Sequence, residues 1–292
     1  MTLRILAIYR EAEFSPGKVA ADAAILDAIL DHLRTRGDEV VAVDAVSLAQ
    51  AAPDRFDLVL AMCQSEQALG ALAALEDGGA LVINSPLAIR ACYRDRLGAA
   101  LEDAGVPTTA GLLVTTSASI EPQSMVPFDF AAGVFVKRGD LHALTAEDVV
   151  KVERPDRIRS ELARFAARGI ASAYLQQAVD GAVVKFYGVS GGGYFAAVSD
   201  GRALTATTEH ALADAANRAA TALGLEIWGG DAIVNDRGFT IVDFNDWPSF
   251  SRVRVQAAQA IAHRCLELRT CAASKAKGLK VPPHKRSSTT PE

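Results

Sequence analysis

The chain has 292 residues, half of them apolar, and a formal charge of −5, enough material for a sizeable core in two domains or one elaborated one. No apolar run nears the roughly 20 residues that cross a bilayer, and the opening MTLRILAIYREAEF has too short an apolar core and too early an acidic cluster for a signal peptide, so a soluble, cytoplasmic protein without a membrane partner is expected. Basic residues gather in 273–292, where Lys275, Lys277, Lys280, Lys285 and Arg286 face only Glu292; the rest of the chain is more acidic than the total, which argues against nucleic acid as a partner.

In chain order, LRILAIY (3–9) reads as a buried strand. VAADAAILDAILDHLRTRG (19–37) follows as a helix with Ile25, Leu26, Ile29, Leu30 and Leu33 on one face and Gly37 at its end, and EVVAV (39–43) is the next strand. FDLVLAM (56–62), a helix near 65–77 and ALVINSP (80–86) continue the pattern, which predicts a parallel α/β layer. A single helix is expected from Ala88 to Gly105, with Pro107 just beyond. The pattern then changes: AGVFVKR (132–138) reads as a strand, 145–152 and 156–169 as helical, 173–201 as strands joined by glycine turns, and 213–224 as a helix ended by Gly224. DAIVNDRGFTIVDFND (231–246) is a hairpin turning at 235–238, and a last helix runs over 254–273 before a tail poor in large apolar residues, expected to be disordered. The fold class is thus α/β first and α+β after.

Cys63, Cys92, Cys265 and Cys271 form no CxxC pair and are expected to be buried or idle thiols. The loop YREAEFSPGK leaves the first strand at its carboxyl end, where open α/β sheets bind ligands, so Arg10, Glu11, Ser15 and Lys18 are substrate candidates. Ser15-Pro16 is equally an ordinary helix start, and SPGK holds only the last fragment of a P-loop. Lys137 ends an apolar strand and suits either phosphate binding or plain solvation; Lys185, inside AVVKFYG, has apolar neighbours and requires a partner. Asp243 and Asn245, two apart on a strand, share a face. Pairing across the hairpin brings Asp231 to the same end, a hard-oxygen set suited to Mg²⁺. The same Asn, Asp and Pro residues also suit an ordinary turn. Arg252 and Arg254 follow directly, able to hold an acidic substrate or to lie solvated on a helix.

The series VINSPLAIRACYRDRLGAALEDAGVPTT, FVKR, YLQQAVDGAVVKFYG and WGGDAIVNDRGFTIVDFNDWPSF, over roughly residues 80–260, resembles the ATP-grasp superfamily, in particular its carboxylate-amine ligases of the D-alanine–D-alanine ligase and ribosomal-protein glutamate ligase types. The resemblance implies an N-terminal α/β domain (1–88), a central ATP-grasp subdomain (89–175), a C-terminal subdomain with the metal site (176–272) and a basic tail (273–292). It implies ATP and Mg²⁺ as cofactors. Lys137 would bind the α and β phosphates, with Arg96 where the family more often has a first phosphate-binding lysine. Tyr174, Leu175, Gln176 and Gln177 would form the hinge whose backbone reads adenine, and Asp180 would reach the ribose. Lys185 would act near the transferred phosphoryl group with Arg252 as a second catalytic candidate, while Asp231, Asp243 and Asn245 hold the metal. Asp246 is out of phase with that set. The compact RGDLHALTAED replaces the family's glycine-rich flap, with His142 as a stand-in, and GVSGGGY (188–194) reads as a hairpin turn, not a phosphate cradle.

The activity this implies joins a carboxylate to an amine through an acyl phosphate. The same site would also serve an inositol-phosphate-kinase-like phosphoryl transfer or a nucleotide-binding protein without catalysis.

Overall fold

The computed structural model describes residues 2–48, 55–117, 128–140, 145–201 and 203–276. The expectations for His142 and for the tail beyond 276 lie outside the described residues.

A parallel sheet opens the fold, ordered β2-β1-β3-β4, from β1 (Arg4–Tyr9), β2 (Glu39–Asp44), β3 (Leu58–Ala61) and β4 (Leu81–Ile83). Between its strands run α1 (Val19–Thr35) and α2 (Glu66–Asp77). The i, i+4 spacing of Ile25, Ile29 and Leu33 lays one stripe of α1 on the core, where each fully buried aliphatic side chain stabilises by about 1.5–3 kcal/mol. That core also takes Leu58 and Leu60 of β3 and Ala257, Ala258 and Ile261 of the last helix, α7 (Arg254–Ala276), so the first layer and the chain's end share one interior.

The helix expected over 88–105 is two: α3 (Pro86–Ala91) and α4 (Arg94–Asp103). Tyr93 is extended (φ −67°, ψ 143°) and its hydroxyl donates to the Gln64 carbonyl at 2.9 Å, a tertiary contact that breaks the run. A second, antiparallel sheet has the order β5-β8-β6-β7, from β5 (Gly111–Thr115), β6 (Val134–Arg138), β7 (Val149–Val152) and β8 (Ser172–Gln177). The helix expected at 145–152 is instead a short 3-10 turn at Ala146–Asp148 followed by β7, because Val149, Val150 and Val152 pair with β6. Helix α5 (Pro155–Ala167) covers this sheet through Ile158, Leu162 and Phe165.

The third sheet, ordered β10-β9-β11-β12, joins β9 (Ala182–Val189), β10 (Tyr194–Ser199), β11 (Ile227–Asn235) and β12 (Gly238–Asp246). GVSGGGY makes the β9–β10 hairpin turn, with Gly191 and Gly192 at φ 78° and 75°, backbone angles that side chains resist. Helix α6 (Ala206–Leu223) packs on the sheet's far face and starts seven residues earlier than the periodicity indicates, at a Thr205 N-cap accepting from Thr208 N at 3.1 Å. Among the described residues no helix is long and apolar enough to cross a membrane.

Candidate functional site

Beta pairing sets the geometry. Strand β11 begins at Ile227, four residues before the sequence reading, so Asp231 lies mid-strand directly opposite Asp243, with Lys185 of β9 opposite Asp231 on its other side. Three charged side chains thereby stand in one row across the sheet. Period-two alternation adds Asn245 and Tyr187 to the same face. The row depends on Gly230, where a Cβ would lie 2.2 Å from the Asp243 carbonyl oxygen.

Lys185 Nζ donates to Asp231 Oδ1 at 2.8 Å. Burial works against its ammonium, but the Asp231 hydrogen bond and charge outweigh it and hold Lys185 above the ordinary lysine value. Asn245 Nδ2 donates to Asp243 Oδ2 at 3.2 Å, which leaves the amide oxygen as the atom for a cation. Among the described residues no three His, Cys, Asp or Glu side chains form a metal cluster. A cation here would rest on two carboxylates and one amide oxygen, a donor set that fits Mg²⁺, which keeps water and phosphate oxygens in the rest of its shell.

Facing this row from the second sheet is Lys137. Burial pushes its ammonium down, while the carboxylates of Asp243 and Asp231 pull it back. Arg94 is the cation that sequence reasoning missed. It opens α4 with Leu97 and Leu101 on the same buried face, and its Nη1 donates to the Arg138 carbonyl at 2.9 Å. Arg96, the position matched to a phosphate-binding lysine, points away and is about half-exposed beside Asp95. The signal lay in the helix period: Arg94, Leu97 and Leu101 are i, i+3 and i+7, whereas Arg96 is 200° from Arg94 around the helix.

Two hollows meet at these side chains. Between the second and third sheets a hollow of about 20 Å³ is lined by Arg94, Lys137, Tyr174, Gln176, Val242 and Asp243. Gln176 Nε2 donates across it to the Val242 carbonyl at 3.0 Å, and Thr108 Oγ1 to that of Ile241 at 3.1 Å. Outside it a cleft of about 530 Å³ runs between the sheet row and the β1–α1 loop, lined by Arg94, Lys185, Asp231, Asp243 and Asn245 on one side and Arg10, Ser15, Lys18 and Asp22 on the other. Arg94 and Asp243 line both.

The hinge expectation needs correction in position. Tyr174, Leu175, Gln176 and Gln177 lie within β8, paired on both sides by β5 and β6. Their backbone groups are therefore committed to the sheet, and the connection to β9 falls at 178–181. The Tyr174 ring instead fills the space beside Gly98 and Gly111. Asp180 is exposed in that connection, its carbonyl accepting from Asn235 Nδ2 at 2.9 Å, and it is not among the residues lining the cleft.

Loop candidates divide. Glu11 is buried, and its carboxylate accepts from Gln64 N and Ser65 N, both at 3.0 Å, at the start of α2. It is a helix-end ligand, not a cleft residue. Ser15 donates to Asp22 at 2.7 Å instead of capping α1, and Lys18 stays exposed at the cleft. Arg10 Nη2 donates to the Trp247 carbonyl at 2.7 Å, holding the turn beyond β12 where Trp247 and Phe250 adopt the left-handed region at φ 41° and 49°. Asp246 points inward, fully buried, and accepts from Gln64 Nε2 at 2.9 Å; burial raises its carboxyl, with Arg10 opposing. Arg252 forms a two-point pair with Asp200, and Arg254 lies outside the cleft lining. The cysteines are free thiols, with Cys63, Cys92 and Cys265 buried and Cys271 half-buried.

Neither protein-family models nor curated proteins match the sequence. Solved structures do. A D-alanine–D-alanine ligase from Bacillus anthracis complexed with ATP superposes with a TM-score of 0.72 at 14% identity, covering 92% of this chain and 99% of that one. VanG D-Ala:D-Ser ligase from Enterococcus faecalis follows with a TM-score of 0.69 at 13% identity, over 92% and 100% of the two chains. D-alanyl-alanine synthetase A from Vibrio cholerae gives 0.67 at 12% identity, over 92% and 99%. The chain has the ATP-grasp fold. Within this fold the row of Lys185, Asp231 and Asp243 lies on the third sheet, facing the second.

Proposed function

We propose that the chain is an ATP- and Mg²⁺-dependent ligase that joins a carboxylate to an amine, releasing ADP and phosphate. One observation carries this reading: Arg94, Lys137 and Lys185, from three separate elements, converge on the Asp231–Asp243–Asn245 oxygen set beside an open cleft. Cations and hard oxygen ligands at one point fit a polyphosphate bound with its metal. The ATP-complexed ligase with the same fold supports the nucleotide.

Asp231, Asp243 and Asn245 would hold Mg²⁺, which offsets phosphate charge when bound. Lys137 and Arg94 grip the non-transferred phosphates. Lys185 leaves Asp231 for the γ-phosphoryl oxygens as the carboxylate oxygen of one substrate attacks phosphorus and the bond to ADP breaks. The amine nitrogen then attacks the acyl carbon, losing its proton, and phosphate leaves with its bonding pair. Placement and charge neutralisation in a water-poor site do the work, with no nucleophilic side chain.

Phosphoryl transfer to a polyphosphorylated polyol would need several uncommitted cations at the acceptor end. Arg10, part-buried there, is tied to backbone carbonyls and Asp22, so the ligase reading is favoured. Release of ADP, assayed with pools of amino acids, small carboxylic acids and inositol phosphates, tests it. Turnover that needs both a carboxylate and an amine is expected; turnover with a polyol phosphate alone, or nucleotide binding with none, would overturn it.

A further inference from the structure

Arg252, which lines the cleft, is already engaged by a carboxylate of the chain itself. Arg252, in the segment after β12, lines the cleft, and both its terminal nitrogens engage Asp200, the residue just past β10; the Nη2 to Oδ2 distance is 2.8 Å. This is the planar fork geometry with which a guanidinium reads a free carboxylate.

The pair is weakly held. Side-chain exposure is 40% for Arg252 and 77% for Asp200, and an exposed ion pair contributes little net stability. Asp200 also borders a neighbouring hollow of about 350 Å³ with Ser199, Leu204 and Glu209, which gives its side chain room to withdraw. A carboxylate arriving from solvent therefore meets a guanidinium of the right shape, occupied by an equivalent group that is easily exchanged.

We infer that Asp200 is an internal stand-in for the carboxylate of a substrate, and that substrates are selected by a carboxylate, separate from the reacting group, which displaces Asp200 from Arg252. The inference rests on the ligase reading for the identity of the cleft, but it concerns only the end remote from the metal row. Arg252 is then a specificity residue for a carboxylate-bearing substrate, and Asp200 rejects neutral competitors, which cannot replace it. The exchange breaks one fork pair and makes another without any covalent change.

The full-length protein, saturated with Mg²⁺ and a non-hydrolysable ATP analogue at low ionic strength, is titrated with glutarate and, as the neutral control, glutaramide. Asp200→Asn should tighten glutarate binding about two- to fivefold, the range that corresponds to an exposed ion pair. Arg252→Gln should abolish it, and the double variant should match Arg252→Gln, because Asp200 acts only through Arg252. Glutaramide should bind none of them. Equal glutarate affinity in wild type and Asp200→Asn, or retained affinity in Arg252→Gln, would overturn the inference. Binding of the nucleotide analogue is read first in the same titration, so its failure counts against the ligase reading and not against the exchange.

Discussion

Position along a helix decides which arginine reaches the candidate site. Arg94 shares the buried stripe of α4 with Leu97 and Leu101, and the Arg138 carbonyl fixes its guanidinium beside Lys137 and Asp243. Arg96, two residues on, faces solvent. Arg94→Gln should therefore weaken ATP affinity roughly ten- to hundredfold, the loss of a charged hydrogen-bonding partner worth about 1.5–3 kcal/mol. Arg96→Gln should stay within about twofold, as surface changes do. Titration calorimetry with the nucleotide distinguishes the two directly. At this scale the sequence was legible where local periodicity governs, since Asp243 and Asn245 share a face because they are two apart on a strand, but Asp231 joins them only through a register shift between Asp231 and Ala232, without which it would lie opposite Val242 on the other face. It was not legible where a side chain is claimed by a distant partner. Glu11 accepts from Gln64 N, just ahead of α2, from 53 residues away, and Asp200 reaches Arg252 across 52. No spacing rule announces either contact.

Elements were readable in proportion to how much of their burial is their own. Helix α1 carries its whole apolar stripe, and β1, β3 and β4 are apolar runs of a parallel layer, so all four follow from pattern alone. Strand β5 alternates exposed and half-buried residues, and β7 is four residues long; each takes its identity from a neighbour. The N-terminal turns of α6, ATTEHALA, lack a stripe and depend on the Thr205 cap. Joints between elements are electrostatic as well as apolar. Asp57, just before β3, accepts from the Arg4 backbone N–H at 3.0 Å and pairs with Arg269 of α7, and these hold its carboxyl below the usual aspartate value. A depressed carboxyl adds stability that is complete above its unfolded pKa and is lost as pH falls through the folded one. Asp57→Asn should cost about 1–2 kcal/mol at neutral pH. Urea midpoints of variant and wild type should converge as pH drops below the ordinary aspartate range; a constant difference across that range would contradict the assignment.

Taken whole, the molecule places its charges at the seam of three sheets. The parallel layer supplies the β1–α1 loop, the second sheet Lys137, and the third the row of Lys185, Asp231 and Asp243, while α7 binds the first layer to the third through a common core. Where Gln176 and Thr108 bridge the second and third sheets the hollow is about 20 Å³, far less than the several hundred Å³ of a pocket that takes a small-molecule ligand. A nucleotide at the proposed site would have to part the second sheet from β12 against the Gln176 and Thr108 bonds and the Ile241 N–H bond to the Pro107 carbonyl at 2.8 Å, about 1 kcal/mol each.

The central claim is that this seam is a metal-dependent ATP site, and the most direct test is the affinity for a non-hydrolysable ATP analogue with and without Mg²⁺, in wild type and in Asp243→Asn and Asn245→Ala, with folding checked by circular dichroism. The account predicts strong Mg²⁺ dependence in the wild type, lost in both folded variants. Mg²⁺-dependent affinity unchanged in the two variants would contradict it.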